Sequence, residues 1–300
     1  MTRVLVVGGG VAGITVATAL EAAGVDFDWV EATSAVGGSL HLVHNPLYGW
    51  PEMAGMRGAE AAAELEGLPI CARLRRATRV VSMQQDGSGF AVVLAHGERV
   101  ERHRFERVLL CTGTARRAWD VPGAAALRGR GIAYSTHEVG EQYRGEPVAV
   151  VGGGDAAVEG ALRMAEMGCR VWLLVRGKVL RAHPKFVARL AQTPAVEVCF
   201  GTEVAAVTGA ERLESVVLRN GGSLAVSALF VRVGVAPVIP HIVPAPHCDA
   251  EGYLMVDADG HASLPGLFGA GEVTSREVSQ VVAVQEQAQR VAARVIAELS

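Results

Sequence analysis

Three features predict an α/β protein: a long internal self-match, a glycine turn after the leading strand of each copy, and a third glycine turn near the C-terminus. The fold class they point to is a pair of Rossmann-like, three-layer domains, the first split in sequence.

Residues 4–30 read VLVVGGGVAGITVATALEAAGVDFDWV, and residues 148–174 read VAVVGGGDAAVEGALRMAEMGCRVWLL. They align without gaps. Each starts with a β-branched run, turns on glycines, enters an amphipathic helix, passes another glycine and ends in a second strand. That is one βαβ unit written twice. A weaker echo follows each copy. Phe90–Ala95, the His96-Gly97 turn and Arg99–Arg104 read as a hairpin, as do Leu213–Leu218, Asn220-Gly221-Gly222 and Ser223–Ala228. Each hairpin leads into an apolar strand, at 108–110 and at 229–231.

The tail from Gly252 does not extend the second copy. It predicts a strand over Tyr253–Val256, a Pro265-Gly266 turn, a strand at Leu267-Phe268 and the turn Gly269-Ala270-Gly271-Glu272. A helix over 279–299 follows, with apolar residues at helical spacing. The expected domains are 1–114 with 241–300, and 115–240. The linkers fall near 114–117 and 239–246, the second rich in proline.

Composition narrows the function. Half of the 300 residues are apolar, and 28 Lys and Arg nearly balance 31 Asp and Glu. No basic tract suggests nucleic acid. The opening stretch from Arg3 to Leu20 imitates a signal peptide, but Gly8–Gly10 interrupt it. No apolar run reaches membrane-spanning length free of charges and glycines. A cytoplasmic protein is expected. The five cysteines, Cys71, Cys111, Cys169, Cys199 and Cys248, contain no C-x-x-C. No disulfide framework or metal site is expected.

The glycine turns carry the chemistry. Gly8, Gly10 and Gly13 follow a strand and open a helix. Such glycines give a tight turn, close backbone approach to a pyrophosphate, and close helix–strand packing. The helix N-terminus offers free N–H groups to the phosphates. Glu31 closes the unit where an acid binds ribose hydroxyls. In the second copy Gly152, Gly154 and Ala157 hold the same places, but Val175 replaces the acid, and Arg176 and Arg181 follow. Cations without a carboxylate suit a 2′-phosphate, which favours NADPH, with NADH also possible. Two sites imply two cofactors, one a flavin and one a hydride donor.

The motifs GGGVAG (8–13), GGSL (37–40), LLCTG (109–113), GGGDAAVE (152–159), PGLFGAGEVTS (265–275) and SQVV (279–282) occur in an order that spans nearly the whole chain. In these the chain resembles the low-molecular-weight thioredoxin reductase group of flavoprotein pyridine nucleotide oxidoreductases. The resemblance implies FAD on Gly8, Gly10, Gly13 and Glu31, with Gly38 and Asn45 along the flavin and Thr112 and Gly113 beside it. It implies Gly271 and Glu272 at the ribityl chain and phosphate. Gln280 and Val281 would present the last helix to the flavin ring, and Gly152, Gly154, Ala157, Arg176 and Arg181 would hold NADPH. It also implies a homodimer.

The departures decide the function. The resemblance places Ser135 and Glu138 where the group carries its redox-active cysteine pair, so a dithiol relay to thioredoxin is excluded. Glu272 stands where aspartate is usual. Gly177 replaces one of two adjacent arginines, and Ser279 replaces an arginine. His137 and Glu138 are candidate catalytic residues for acid–base work, or fill a position relieved of chemistry. His41 and His44 could line a pocket or be solvated loop side chains. The expected activity is an FAD-dependent NAD(P)H oxidoreductase passing electrons directly to an external acceptor. That acceptor is a small disulfide or quinone-like molecule, although Ala12 stands where disulfide-reducing relatives tend to carry cysteine. A ferredoxin or flavodoxin reductase is an alternative, against which stands the absence of a C-terminal aromatic tail. A flavin monooxygenase and a non-catalytic flavin-binding sensor complete the set.

Overall fold

The computed structural model describes residues 4–44, 46–47, 50–278 and 280–300. The chain forms two compact units, Met1–Ala115 with Ala236–Ser300, and Arg116–Val235. Both are Rossmann-like, as the repeat predicts.

In the first unit four parallel strands lie in the order Leu267–Gly269, Arg107–Leu110, Val4–Val7, Phe27–Val30. The edge strand Leu267–Gly269 comes from the C-terminal part of the chain, so this sheet is completed only when residues after 236 return to it. The strands are short apolar runs because both faces are covered. Val4 and Val6 pack toward the helices with Val16, Leu20, Val284 and Val291. Leu5 and Val7 pack the other way with Met83, Phe90, Val92 and Leu94. These last belong to a second sheet, ordered His241–Val243, Thr78–Asp86, Gly89–His96, Arg99–Phe105. The layers are therefore helix, parallel sheet and hairpin sheet.

The last helix spans Val281–Leu299 and buries Val284, Ala288, Val291, Ala292 and Val295. The spacing of four, three, one and three residues keeps them on one face. Each valine removed from water there contributes roughly 1.5–3 kcal/mol. Its far end is held by Glu298, whose Oε1 lies 2.6 Å from His261 Nε2 and accepts from Arg294 Nε at 3.0 Å.

The second unit repeats the plan. Its five parallel strands run Val196–Phe200, Val171–Val175, Val148–Val151, Ala228–Val231, Ile132–Ala133. The helix Asp155–Glu166 covers one face through Ala157, Val158, Ala161 and Leu162. A three-stranded antiparallel sheet of Val204–Thr208, Ser215–Leu218 and Ser223–Ala225 supplies Val204, Val207 and Val216 to the other.

Three expectations are corrected. Tyr253–Val256 is not a strand. The Asp249 carboxylate accepts from the N–H groups of Glu251 and Tyr253 at 2.8 and 2.9 Å. The Leu254 N–H bonds Val273 O and the Met255 N–H bonds His247 O. Those donors are committed to a side-chain turn and scattered carbonyls, which leaves no ladder. The second hairpin is shorter than predicted because the Leu213 N–H bonds Arg130 O and the Ser227 N–H bonds Pro147 O. The proline-rich stretch 239–246 is not a linker. Its residues His241–Val243 pair in parallel with Thr78–Asp86 inside the first unit.

Candidate functional site

The first cradle is built on the turn after Val4–Val7. Gly8 has φ +118°, and a Cβ there would lie 2.2 Å from Cys111 O. A Cβ on Gly13 would lie 1.9 Å from Gly8 O, so only glycine lets the helix sit this close to the turn. Gly10 is different. The nearest atom to its added Cβ is Gly38 Cα at 4.0 Å, so packing does not require glycine there. The helix Val11–Ala22 begins at Gly10 with no side-chain cap and no acid in its first turn. Its positive end is left for an anion.

Two residues fix this turn from behind. Glu31 follows the second strand directly. Its Oε2 accepts from the Gly9 N–H at 2.7 Å, and its Oε1 accepts from the N–H and hydroxyl of Thr33 at 2.7 and 2.8 Å. The buried Trp29 indole donates to Gly8 O at 2.8 Å.

The C-terminal turn closes the cradle. Gly271 has φ +83°, and a Cβ there would lie 2.9 Å from the Ala12 Cβ. Glu272 is half-buried and accepts from the Thr114 hydroxyl at 3.3 Å, with Ser39 as a second side-chain partner. Burial pushes its pKa up, and the hydrogen bonds from Ser39 and Thr114 only partly offset this. A Cβ on Gly113 would lie 3.8 Å from Glu272 Oε2. Gln287, from the last helix, accepts the Gly271 N–H at 2.8 Å and donates to the Thr274 hydroxyl at 3.0 Å. Gly10 thus lies beside Gly38 at an uncapped helix N-terminus, Gly271 beside Ala12 and Gly113 beside Glu272, small residues that fit the approach of a flavin dinucleotide.

The remaining expected residues of this unit divide. The Thr112 hydroxyl donates to Val238 O, and the Val238 N–H bonds Gly113 O in return at 3.0 Å. Both Thr112 and Gly113 follow the strand, which ends at Leu110. Gln280 is the exposed N-cap of the last helix, acting through its backbone, and Val281 is half-buried against the core. His41 Nε2 lies 2.7 Å from Val36 O and is held to the loop. Asn45 and Ser279 lie outside the described residues.

The second cradle has the same frame with different contents. Gly152 has φ +138°, and its added Cβ would lie 2.2 Å from Arg232 O. Around Gly154 there is open space, and Ala157 is buried. Asp155 opens the helix and accepts the His183 N–H at 2.6 Å, which ties the 176–183 loop to it. The Arg181 N–H bonds Gly153 O at 2.7 Å, and the side chains of Arg176 and Arg181 are exposed. Open space around Gly154, with Arg176 and Arg181 exposed, fits a second dinucleotide.

Ser135 is the N-cap of the short helix Thr136–Val139, its Oγ accepting from the His137 and Glu138 N–H groups at 3.3 and 3.4 Å. Ser135 and Thr136 are buried, His137 is half-buried and Glu138 exposed. This helix packs on Asp155–Glu166, where Arg163 Nε donates to Thr136 O at 3.4 Å. Arg232 reaches both segments, through Nη1 to Tyr134 O at 2.6 Å and Nε to Ala156 O at 3.3 Å.

All five cysteines are free, and burial raises the pKa of each, that of Cys111 to about 12. None is an activated thiolate at neutral pH. Among the described residues no cluster of His, Cys, Asp or Glu is placed to hold a metal, and no helix is long and apolar enough to cross a membrane.

Sequence reasoning missed Trp29, Gln287 and Arg232. Only Arg232 carried a local signal, as a cation directly after the apolar run Ala228–Val231.

Residues 2–288 match the family model described as pyridine nucleotide-disulphide oxidoreductase. A thioredoxin reductase from Treponema pallidum is 32% identical over 180 residues, which are 58% of this chain and 58% of that protein. The chain thus spans little more than half the length of that relative. A thioredoxin reductase from Schizosaccharomyces pombe is 29% identical over 297 residues, covering 93% of this chain and 91% of that protein. A solved Lactococcus lactis thioredoxin reductase superposes with a TM-score of 0.80 at 22% identity, covering 99% of this chain and all of the other, which supports the fold. Together with the paired glycine cradles, the match over residues 2–288 makes this chain a member of the pyridine nucleotide-disulphide oxidoreductase family.

Proposed function

We propose that the chain is an FAD-dependent NAD(P)H oxidoreductase, thioredoxin reductase-like but without a catalytic dithiol. It passes electrons directly to an external acceptor, a small disulfide or quinone-like molecule. The observation that carries this reading is Ser135, which caps a turn by hydrogen bonding where the resemblance places a redox cysteine.

FAD, when bound, supplies the hydride acceptor and the electron outlet. The chain's own residues do the rest. Gly8, Gly10 and Gly13 would admit the pyrophosphate, Glu31, besides accepting from Gly9 and Thr33, would meet the ribose, and Glu272 would accept from the ribityl hydroxyls. Gly154 would admit the NADPH pyrophosphate, and Arg176 and Arg181 would receive its 2′-phosphate, with Val175 leaving no carboxylate to repel it. His137 and Glu138 hold or move the proton that accompanies electron transfer to the acceptor. The protein works in the cytoplasm as a homodimer, on the resemblance to its relatives.

Iodoacetamide added to the NADPH-reduced protein is expected to leave turnover with a benzoquinone or a small disulfide unchanged. Cys71, Cys111 and Cys169 are buried and react slowly, and on this reading alkylation of Cys199 or the exposed Cys248 touches no group on the electron path. A loss of turnover that follows alkylation would place a thiol in the path and sink the reading.

A further inference from the structure

Arg232 follows the strand Ala228–Val231 in the second unit. Its backbone N–H bonds Val151 O at 2.8 Å, and its carbonyl is the atom that forces residue 152 to be glycine. The side chain then forks. Nη1 donates to Tyr134 O, the residue before the Ser135 cap, and Nε donates to Ala156 O in the first turn of the helix Asp155–Glu166. One residue therefore touches the glycine turn, the start of the nucleotide helix and the segment bearing His137 and Glu138.

The electrostatics agree with a built contact. Burial lowers the Arg232 pKa, Arg116 lowers it further, and Glu159 and Glu138 act in the opposite direction. A guanidinium stays charged in that setting, and its planar fork spans two divergent carbonyls; an ammonium offers only a point charge. Its charge also adds to the positive end of the helix, where a pyrophosphate would sit.

We propose that Arg232 is a positioning residue that couples the nucleotide cradle to the Ser135–Glu138 turn. Occupancy of the cradle fixes the first turn of the helix Asp155–Glu166, and Arg232 transmits that order to His137 and Glu138. The inference rests on the reading of Gly152–Ala157 as the NADPH site.

The test is hydrogen exchange of the flavin-loaded full chain with and without NADPH, with calorimetric NADPH binding alongside. In the wild-type protein NADPH is expected to slow exchange both at 152–160 and at 134–139. In Arg232→Met the protection at 152–160 persists and that at 134–139 is lost, while the Kd for NADPH rises about fivefold, the lower end of coupling between linked sites. Arg232→Lys, which keeps the charge and is the milder change for folding, restores affinity but not the protection at 134–139. Unchanged coupling in both variants overturns the role of Arg232 alone. Wild-type protein that neither binds NADPH nor protects 152–160 overturns the nucleotide reading together with it.

Discussion

Replacing Gly13 with alanine is expected to abolish flavin binding and destabilise the first unit together. The added Cβ would fall 1.9 Å from Gly8 O. That atom is backbone, held by the Trp29 indole, and has no side-chain rotation to escape by. Overpacking in a well-filled core costs about 1–3 kcal/mol, and a backbone clash belongs at the upper end. Gly10→Ala provides the contrast. With Gly38 Cα 4.0 Å away, the fold accepts the methyl group. The space it takes is the space a pyrophosphate needs, so flavin is lost from a stable protein. A thermal melt and the flavin-to-protein absorbance ratio separate the two. Gly13→Ala protein that melts normally and keeps its flavin would contradict this geometry.

Glu272→Gln is expected to move stability and flavin affinity in opposite directions. Burial raises the Glu272 pKa in the folded chain. An acid whose folded pKa lies above its unfolded value contributes stability in full below the unfolded value. That contribution is lost as pH rises through the folded value. The flavin-free protein should therefore weaken as pH climbs out of the carboxylate range, and the glutamine variant should lack this slope and melt higher at neutral pH. Hydrogen bonds to a charged acceptor are worth about 1.5–3 kcal/mol, so its flavin affinity should fall about tenfold or more. Melts of the apo protein against pH and a flavin titration read the two effects. A variant that loses both stability and affinity would assign Glu272 a packing role.

The fold was legible where local chemistry repeats. Two copies of a strand, a glycine turn, a helix and a second strand, aligned along 27 residues, need no distant partner to be read. The split first unit was legible from Gly269–Glu272, because a glycine turn after a short apolar strand has the same form wherever it occurs. The misread strand at Tyr253–Val256 has a local cause, since the Asp249 side chain takes backbone donors that an apolar pattern assigns to a sheet. The supports of the site were hidden for another reason. Trp29 reaches back 21 residues to Gly8 O, Gln287 reaches 16 to Gly271, and Arg232 reaches 98 to Tyr134. Such contacts depend on which elements become neighbours, and one-dimensional spacing does not record that.

The position of Ser135 links fold to function. As a helix cap it stabilises a turn that a dithiol would have used for chemistry. On the proposed function, electrons would leave the flavin with no protein thiol between flavin and acceptor.

An anaerobic titration of the flavin-loaded protein with NADPH tests that account most directly. The expected result is bleaching of the flavin band by NADPH, followed by recovery on adding a quinone or small disulfide, with no thioredoxin present. A flavin that stays oxidised with both NADPH and NADH would contradict it and leave a flavin-binding protein without redox turnover.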